Sequence, residues 1–181
     1  VMDKCSDSFA YGGVHGMCVL VKDNISSSAK IIGGTSSSSI MWMHLRNTPC
    51  DIVLGSVYVP CENSKHYSDE LFQNLLSDIA LIEGKFKAPI ILAGDFNART
   101  GSMSDVIAED IASGSVDGDI HDNICDSLER LQLLGIDVSR HNQDTVCNKN
   151  GYQLIDCCRT ADLKIVNGRF GSDARIGSFM Y

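Results

Sequence analysis

The stretch Pro89–Gly101, PIILAGDFNARTG, constrains this chain more than any other. Ile90 to Gly94 are apolar or small, and the run stops abruptly at Asp95-Phe96-Asn97. A short apolar run reads as a strand closed in on both faces. Such a strand delivers two short polar side chains to the mouth of a site. A buried carboxylate is costly unless paired, hydrogen-bonded or on a metal, so Asp95 needs an explanation that an exposed aspartate would not. Two readings stand together: a functional carboxylate, or a strand ending in an Asx-type turn, where Asp and Asn bond their own backbone.

Length and composition bound the rest. The 181 residues suffice for one domain with a real core. With 44% hydrophobic and 21% charged residues the chain reads as globular rather than disordered. No apolar run approaches the ~20 residues of a membrane span. The first residues, VMDKCSDSFAYGG, hold no apolar core of a signal peptide. The expectation is an intracellular protein, nuclear or cytoplasmic, not secreted and without a membrane partner. The eight cysteines are irregularly spaced with no CxxC, which reads as reduced thiols, several of them buried as small hydrophobes, rather than a zinc site. A net charge of −8 argues against a broad nucleic-acid-coating surface. It does not exclude a nuclease, which needs carboxylates at a metal and only a local basic rim.

Along the chain, strand and helix patterns follow one another. Gly13–Lys22, Ile40–Arg46 and Asp51–Val59 alternate as strands, with Ala29–Gly33 a weaker one, joined by short turns as in an antiparallel meander. A helix follows, with Ser68 as its cap, Asp69 and Glu70 in its first turn and Gly84 at its end. Leu71, Phe72, Leu75, Leu76, Ile79 and Ile82 form its apolar face. After the PIILAG strand, Ser102–Asn123 is polar, Gly-rich and acidic, and reads as a variable loop. A second helix spans Asn123–Leu134 up to Gly135, and a third, capped by Asn150, spans Gly151–Ala161. Leu163–Asn167 reads as a strand, Gly168–Gly177 as a loop, and Ser178–Tyr181 as the start of another strand.

Few other polar residues invite chemistry. Tyr58, in VYVP, is either a phosphate donor or a half-buried sheet tyrosine. Asp156 reads as an ordinary helix carboxylate, and the five histidines have no His or Cys partner at helical spacing. Asp117-Gly118-Asp119 has the start of a calcium loop but Leu128 stands where its glutamate belongs.

The order of these motifs resembles the endonuclease/exonuclease/phosphatase superfamily. It consists of a Gly-Gly-Val strand over Gly12–Val21, a strand ending Val57-Tyr58-Val59-Pro60, a helix, then ILAGDFNARTG. With Asn167-Gly168-Arg169-Phe170 and Gly177-Ser178-Phe179-Met180-Tyr181, the chain is similar to the apurinic-type endonuclease domain of non-LTR retrotransposon polyproteins. The resemblance implies an α+β fold: two packed, mostly antiparallel sheets flanked by helices in a four-layer, DNase I-like sandwich. It implies metal-assisted cleavage of a phosphodiester, which needs a base, a metal and donors to the phosphate. By resemblance Asp95 orients or deprotonates the attacking water, and Asn97 and Tyr58 contact the phosphate. Arg99 and Ser178 are further candidate phosphate contacts, with a solvated loop arginine the plainer reading of Arg99.

The family takes a metal-binding Glu from a strand before the Gly-Gly-Val strand and closes on Ser-Asp-His. Here the first glutamate is Glu62, and no Ser-Asp-His occurs. The metal ligand set is therefore unknown, and 1–181 is expected to be a single incomplete domain lacking its first and last strands and inactive on its own. The complete domain would use Mg2+ (or Mn2+) on DNA, beside a reverse transcriptase in the same polypeptide. A phosphatase or exonuclease of another phosphoester, and an inert decayed copy that only binds, are the alternatives.

Overall fold

The computed structural model describes residues 17–33, 35, 39–47, 50–106 and 131–178. The chain divides into two units, 1–97 and 98–181.

In the first unit, a short helix α1 (Asp23–Ser26) precedes strands β1 (Ala29–Ile32), β2 (Ile40–Leu45) and β3 (Ile52–Tyr58). Helix α2 (Leu71–Lys85) then leads into β4 (Ile90–Asp95). The strands form one sheet in the order β1-β2-β3-β4. β1–β2 and β2–β3 pair antiparallel, as the meander reading expects. β3 and β4 pair in parallel, which requires a crossover, and α2 supplies it. The sheet is thus mixed and mostly antiparallel, and the class is α+β. The second sheet of the expected pair is not among the described strands.

The core lies between sheet and helix. Trp42, Val53 and Val57 are buried on the sheet, and Leu71, Phe72, Leu75, Ile79 and Ile82 on α2. This is the apolar face read from the helical spacing, with Leu76 only half-buried at its margin. One member was not foreseen. Asp78 is 1% exposed on the same face and accepts a hydrogen bond from the Trp42 indole Nε1 at 3.2 Å. A carboxylate at i+3 from Leu75 and i−4 from Ile82 is the signal that was available.

Three local expectations change. Met17–Lys22, the described part of the expected strand Gly13–Lys22, belongs to no strand of the sheet, although its residues still alternate between half-buried and exposed. α2 begins two residues later than Ser68 suggests, with Glu70 as its N-cap residue; the Ser68 hydroxyl instead accepts from the Glu70 amide at 3.3 Å. The helix runs past Gly84 and ends when Phe86 turns extended.

In the second unit, helix α3 spans Lys149–Thr160. Its cap is Asn148 rather than Asn150: the Asn148 Oδ1 accepts from the Gly151 amide at 2.8 Å. Asn150 is buried. Gly135 ends the preceding helix as expected, through Gly135 N–H to Gln132 O and Ile136 N–H to Leu131 O at 3.0 and 2.9 Å. Most of that expected helix, and most of Ser102–Asn123 including Asp117-Gly118-Asp119, lie outside the described residues. Leu163–Asn167 is not a strand; its Ile165 amide donates to Asp105 at 2.7 Å instead of to a neighbouring strand. Among the described residues six cysteines are free, and only Cys157 and Cys158 are buried, where desolvation pushes both thiols up to about 12. No described helix is long and apolar enough to cross a membrane.

Candidate functional site

The site begins where β3 and β4 end together. Tyr58 and Asp95 are register partners across the parallel pair, so the last residue of each strand stands beside the other. Gly94 makes the pairing possible. Its φ is +144°, and a Cβ there would lie 1.9 Å from the Val57 carbonyl oxygen. Any side chain would force the two strands apart at the point where the site is built.

Beyond Gly94 the backbone leaves the sheet in a tight turn. The Asp95 carboxylate accepts from the Asn97 amide at 2.9 Å, the expected Asx-type turn. Asn97 takes a left-handed conformation, φ +44°, which asparagine tolerates better than most residues. Its side-chain Nδ2 donates to the Val59 carbonyl at 2.8 Å and to the second Asp95 oxygen at 3.3 Å. The Val59 amide donates back to the Asp95 carbonyl at 2.8 Å. Four hydrogen bonds thus tie the turn to itself and to the residue after Tyr58. Val59 and Pro60, both fully buried, anchor the other side.

Sequence reasoning placed Asp95 on a strand buried on both faces. In the structure β4 is the last strand of the described sheet, Ile91 is 47% exposed, and Asp95 is itself exposed. The physical reason is the number of neighbours: an apolar run specifies a strand but not what covers it. The Asx turn and the presented carboxylate, offered as alternatives, are the same object. Asp95 closes the turn through neutral N–H donors and remains solvent-accessible.

Tyr58, Asp95 and Asn97 are therefore brought together in the first unit. Arg99 and Ser178 belong to the second. Arg99 Nε and Nη2 bind both oxygens of Asp144 at 2.7 Å. The Arg99 guanidinium and the Val146 amide hold the Asp144 carboxyl at about 2, well below the usual range. Arg99 is also fixed by its backbone: its amide donates to the Asn148 cap at 2.9 Å and its carbonyl accepts from the Asn148 amide at 3.0 Å. Gly151 lies so close that a Cβ would stand 1.8 Å from that carbonyl. Ser178 is exposed, and its amide donates to Asp173 at 2.9 Å, closing a loop whose other end, the Gly168 amide, meets the same carboxylate at 2.8 Å.

The second unit holds an ion pair that sequence reasoning missed. Arg169, of the Asn167-Gly168-Arg169-Phe170 motif, binds both oxygens of Asp105 at 2.6 Å, and both side chains are at most 1% exposed. Burial pushes the Asp105 carboxyl up, but Arg169 and the Ile165 amide together bring it below its usual range. Arg169 also donates to the carbonyls of Ile165 and Val138 at 3.0 and 2.7 Å. Arg140, beside them, donates to Thr100 Oγ1 at 2.7 Å. An arginine inside a motif was the available signal, and its role is architectural.

Among the described residues no three His, Cys, Asp or Glu side chains converge to hold a metal ion. Asp95, with both carboxylate oxygens turned toward Asn97, does not by itself supply a ligand set for Mg2+ or Mn2+.

No curated protein and no solved structure matches the chain. The family model of the Endonuclease/Exonuclease/phosphatase family matches residues 3–114, more than half of the chain. Members of that family are hydrolytic nucleases and phosphatases, generally dependent on a divalent metal. The mixed four-stranded sheet with its helices is consistent with a DNase I-like domain of this kind. On that match, and with the sheet that presents Asp95 lying wholly inside it, the chain belongs to the endonuclease/exonuclease/phosphatase family.

Proposed function

We propose that the chain belongs to the DNA-nicking endonuclease domain of a non-LTR retrotransposon polyprotein, which works beside a reverse transcriptase in the same polypeptide and is inactive as these 181 residues alone. The motifs over Gly12–Tyr181 and the family match support the reading. The observation that carries it is the strand-end turn, where an exposed carboxylate is held rigidly by neutral donors next to Tyr58. A base must reach the proton it takes in a fixed geometry. Asp95 has that fixity, because its partners are backbone and a side chain locked to Val59. In this reading Asp95 orients the attacking water and accepts its proton. Asn97 holds Asp95 and the strand ends in place. Tyr58 contacts the scissile phosphate. Mg2+ (or Mn2+) is the metal of the complete domain.

The test joins sequence and activity. The reading frame extended on both sides is expected to encode a Glu-bearing strand upstream, a Ser-Asp-His downstream and then a reverse transcriptase. Protein from that extended frame should nick supercoiled plasmid DNA in Mg2+. Asp95→Ala should lower the rate at least 100-fold, the ordinary worth of a general base. The 181-residue chain alone should give no measurable nicking. Full nicking by Asp95→Ala protein, or an extended frame without a reverse transcriptase, would overturn the assignment.

A further inference from the structure

The end of the sheet remote from Tyr58 and Asp95 holds a cavity of about 370 Å³ within the first unit. Lys30, His44, Arg46, Lys85 and Phe86 line it, with Ile32 among its apolar residues. Lys30 and His44 are register partners on β1 and β2, and His44 is level with Val53 on β3, five residues before Tyr58. At about 3.3 Å per residue the cavity is roughly 17 Å along the sheet from the strand ends.

Its charge runs against the rest of the chain. In a protein of net charge −8, four of the lining residues are basic. Asp51 lies 3.4 Å from His44 Nε2. Lys30, Arg46 and Lys85 take part in no ion pair among the described residues. Three cations gathered at one cavity and in no ion pair among the described residues repel one another, and an anion placed among them relieves that repulsion. The wall is aromatic as well. The Phe86 ring is 4.7 Å from the His44 ring, centroid to centroid, and Lys85 Nζ is 5.5 Å from the Phe86 centroid. Cations that meet phosphates, set beside an aromatic face that stacks a base, are the two elements of single-strand recognition. The volume lies in the range of sites that hold a molecule of nucleotide size.

We propose that this cavity binds a nucleoside phosphate unit of a single-stranded nucleic acid, with phosphates on Lys30, Arg46 and Lys85 and a base against Phe86. It is a second contact, separate from the strand-end turn, and does not depend on that turn being catalytic. A long acidic chain that repels nucleic acid over most of its surface would hold a strand through this patch.

Fluorescence anisotropy of the full chain with a labelled oligothymidylate between 50 and 200 mM salt tests the proposal. Three phosphate contacts on a single strand give a log–log salt slope of about −2. The triple variant Lys30→Gln/Arg46→Gln/Lys85→Gln should bind at least tenfold more weakly, with a slope near zero. Phe86→Leu should keep the slope and lose about fivefold in affinity, the lower end of a stacking contact. Lys22→Gln/Lys65→Gln/Lys149→Gln removes the same charge elsewhere and should stay within about twofold. Thermal melts of each variant check that the fold is kept. Competition with AMP separates the sources of the ligand: weak competition points to a strand, and equal affinity to a free nucleotide at the same site. No binding by the parent chain, an unchanged triple variant, or equal loss in the charge-matched control overturns the proposal. Loss of this binding would leave the endonuclease reading standing, and loss of nicking in the extended protein would leave this binding standing, so the two failures are distinguishable.

Discussion

Asp95 and Asp105 lie ten residues apart in sequence and in opposite circumstances. Asp95 is exposed and holds a turn through neutral N–H groups. Asp105 is 1% exposed and is held by a guanidinium on both oxygens. The difference separates two uses of a carboxylate. Asp105 is matched by a full opposite charge and closed from water, so it can only hold structure. Asp95 is oriented but not neutralised, so its charge remains available to a ligand or a proton.

The sharpest way to break this comparison is to remove the guanidinium. Arg169→Met leaves the Asp105 carboxylate buried and uncompensated, which should destabilise the fold by about 3–5 kcal/mol in urea denaturation. A loss below about 1 kcal/mol would show that Asp105 is not the closed site described.

Gly94→Ala comes next. A left-handed conformation imposed on alanine costs roughly 1–3 kcal/mol, and the contact with the Val57 carbonyl must also be relieved. The expected result is a lower melting temperature and faster hydrogen exchange of the Val59 amide, which donates to Asp95.

Acid should act on the second unit through Asp144. Asp144 is depressed to about 2 by Arg99, while an unfolded aspartate titrates near 4. Its stabilising contribution is therefore complete above about pH 4 and is lost as pH falls toward about 2. Melting temperatures measured across that window should fall, and Asp144→Asn should flatten the fall.

The smallest effect is expected at the proposed catalytic residue. Asp95→Asn keeps an acceptor for the Asn97 amide, and stability should stay within about 0.5 kcal/mol of the parent. A large loss would make Asp95 a structural carboxylate like Asp105.

The sequence made the sheet strands β1 to β4, the apolar face of α2 and the Asx turn at Asp95 legible, because each rests on local spacing. What it hid was set by partners far along the chain. Asp105 and Arg169 are 64 residues apart, and no periodicity encodes their meeting. The run Leu163–Asn167 has the composition of a strand, but its Ile165 amide is taken by that same Asp105. The exposure of Asp95 was hidden for a related reason, since composition does not state how many neighbours a strand has. Helix starts slipped by two residues, at Ser68 against Glu70 and at Asn150 against Asn148.

The bond from Asn97 to Val59 spans 38 residues and closes only after α2 has carried the chain across to bring β4 against β3. Closing so long a loop is entropically late in folding, after local turns and helices have formed. The placement of Asp95 beside Tyr58 therefore reports on completed topology. A nascent or partly folded chain, with α2 formed but β4 not yet seated, can close the local bonds between Asp95 and Asn97 but not those that join the turn to Val59. In a protein read as a DNA-cutting enzyme, that order of events ties the ability to cut to the arrival of the native state.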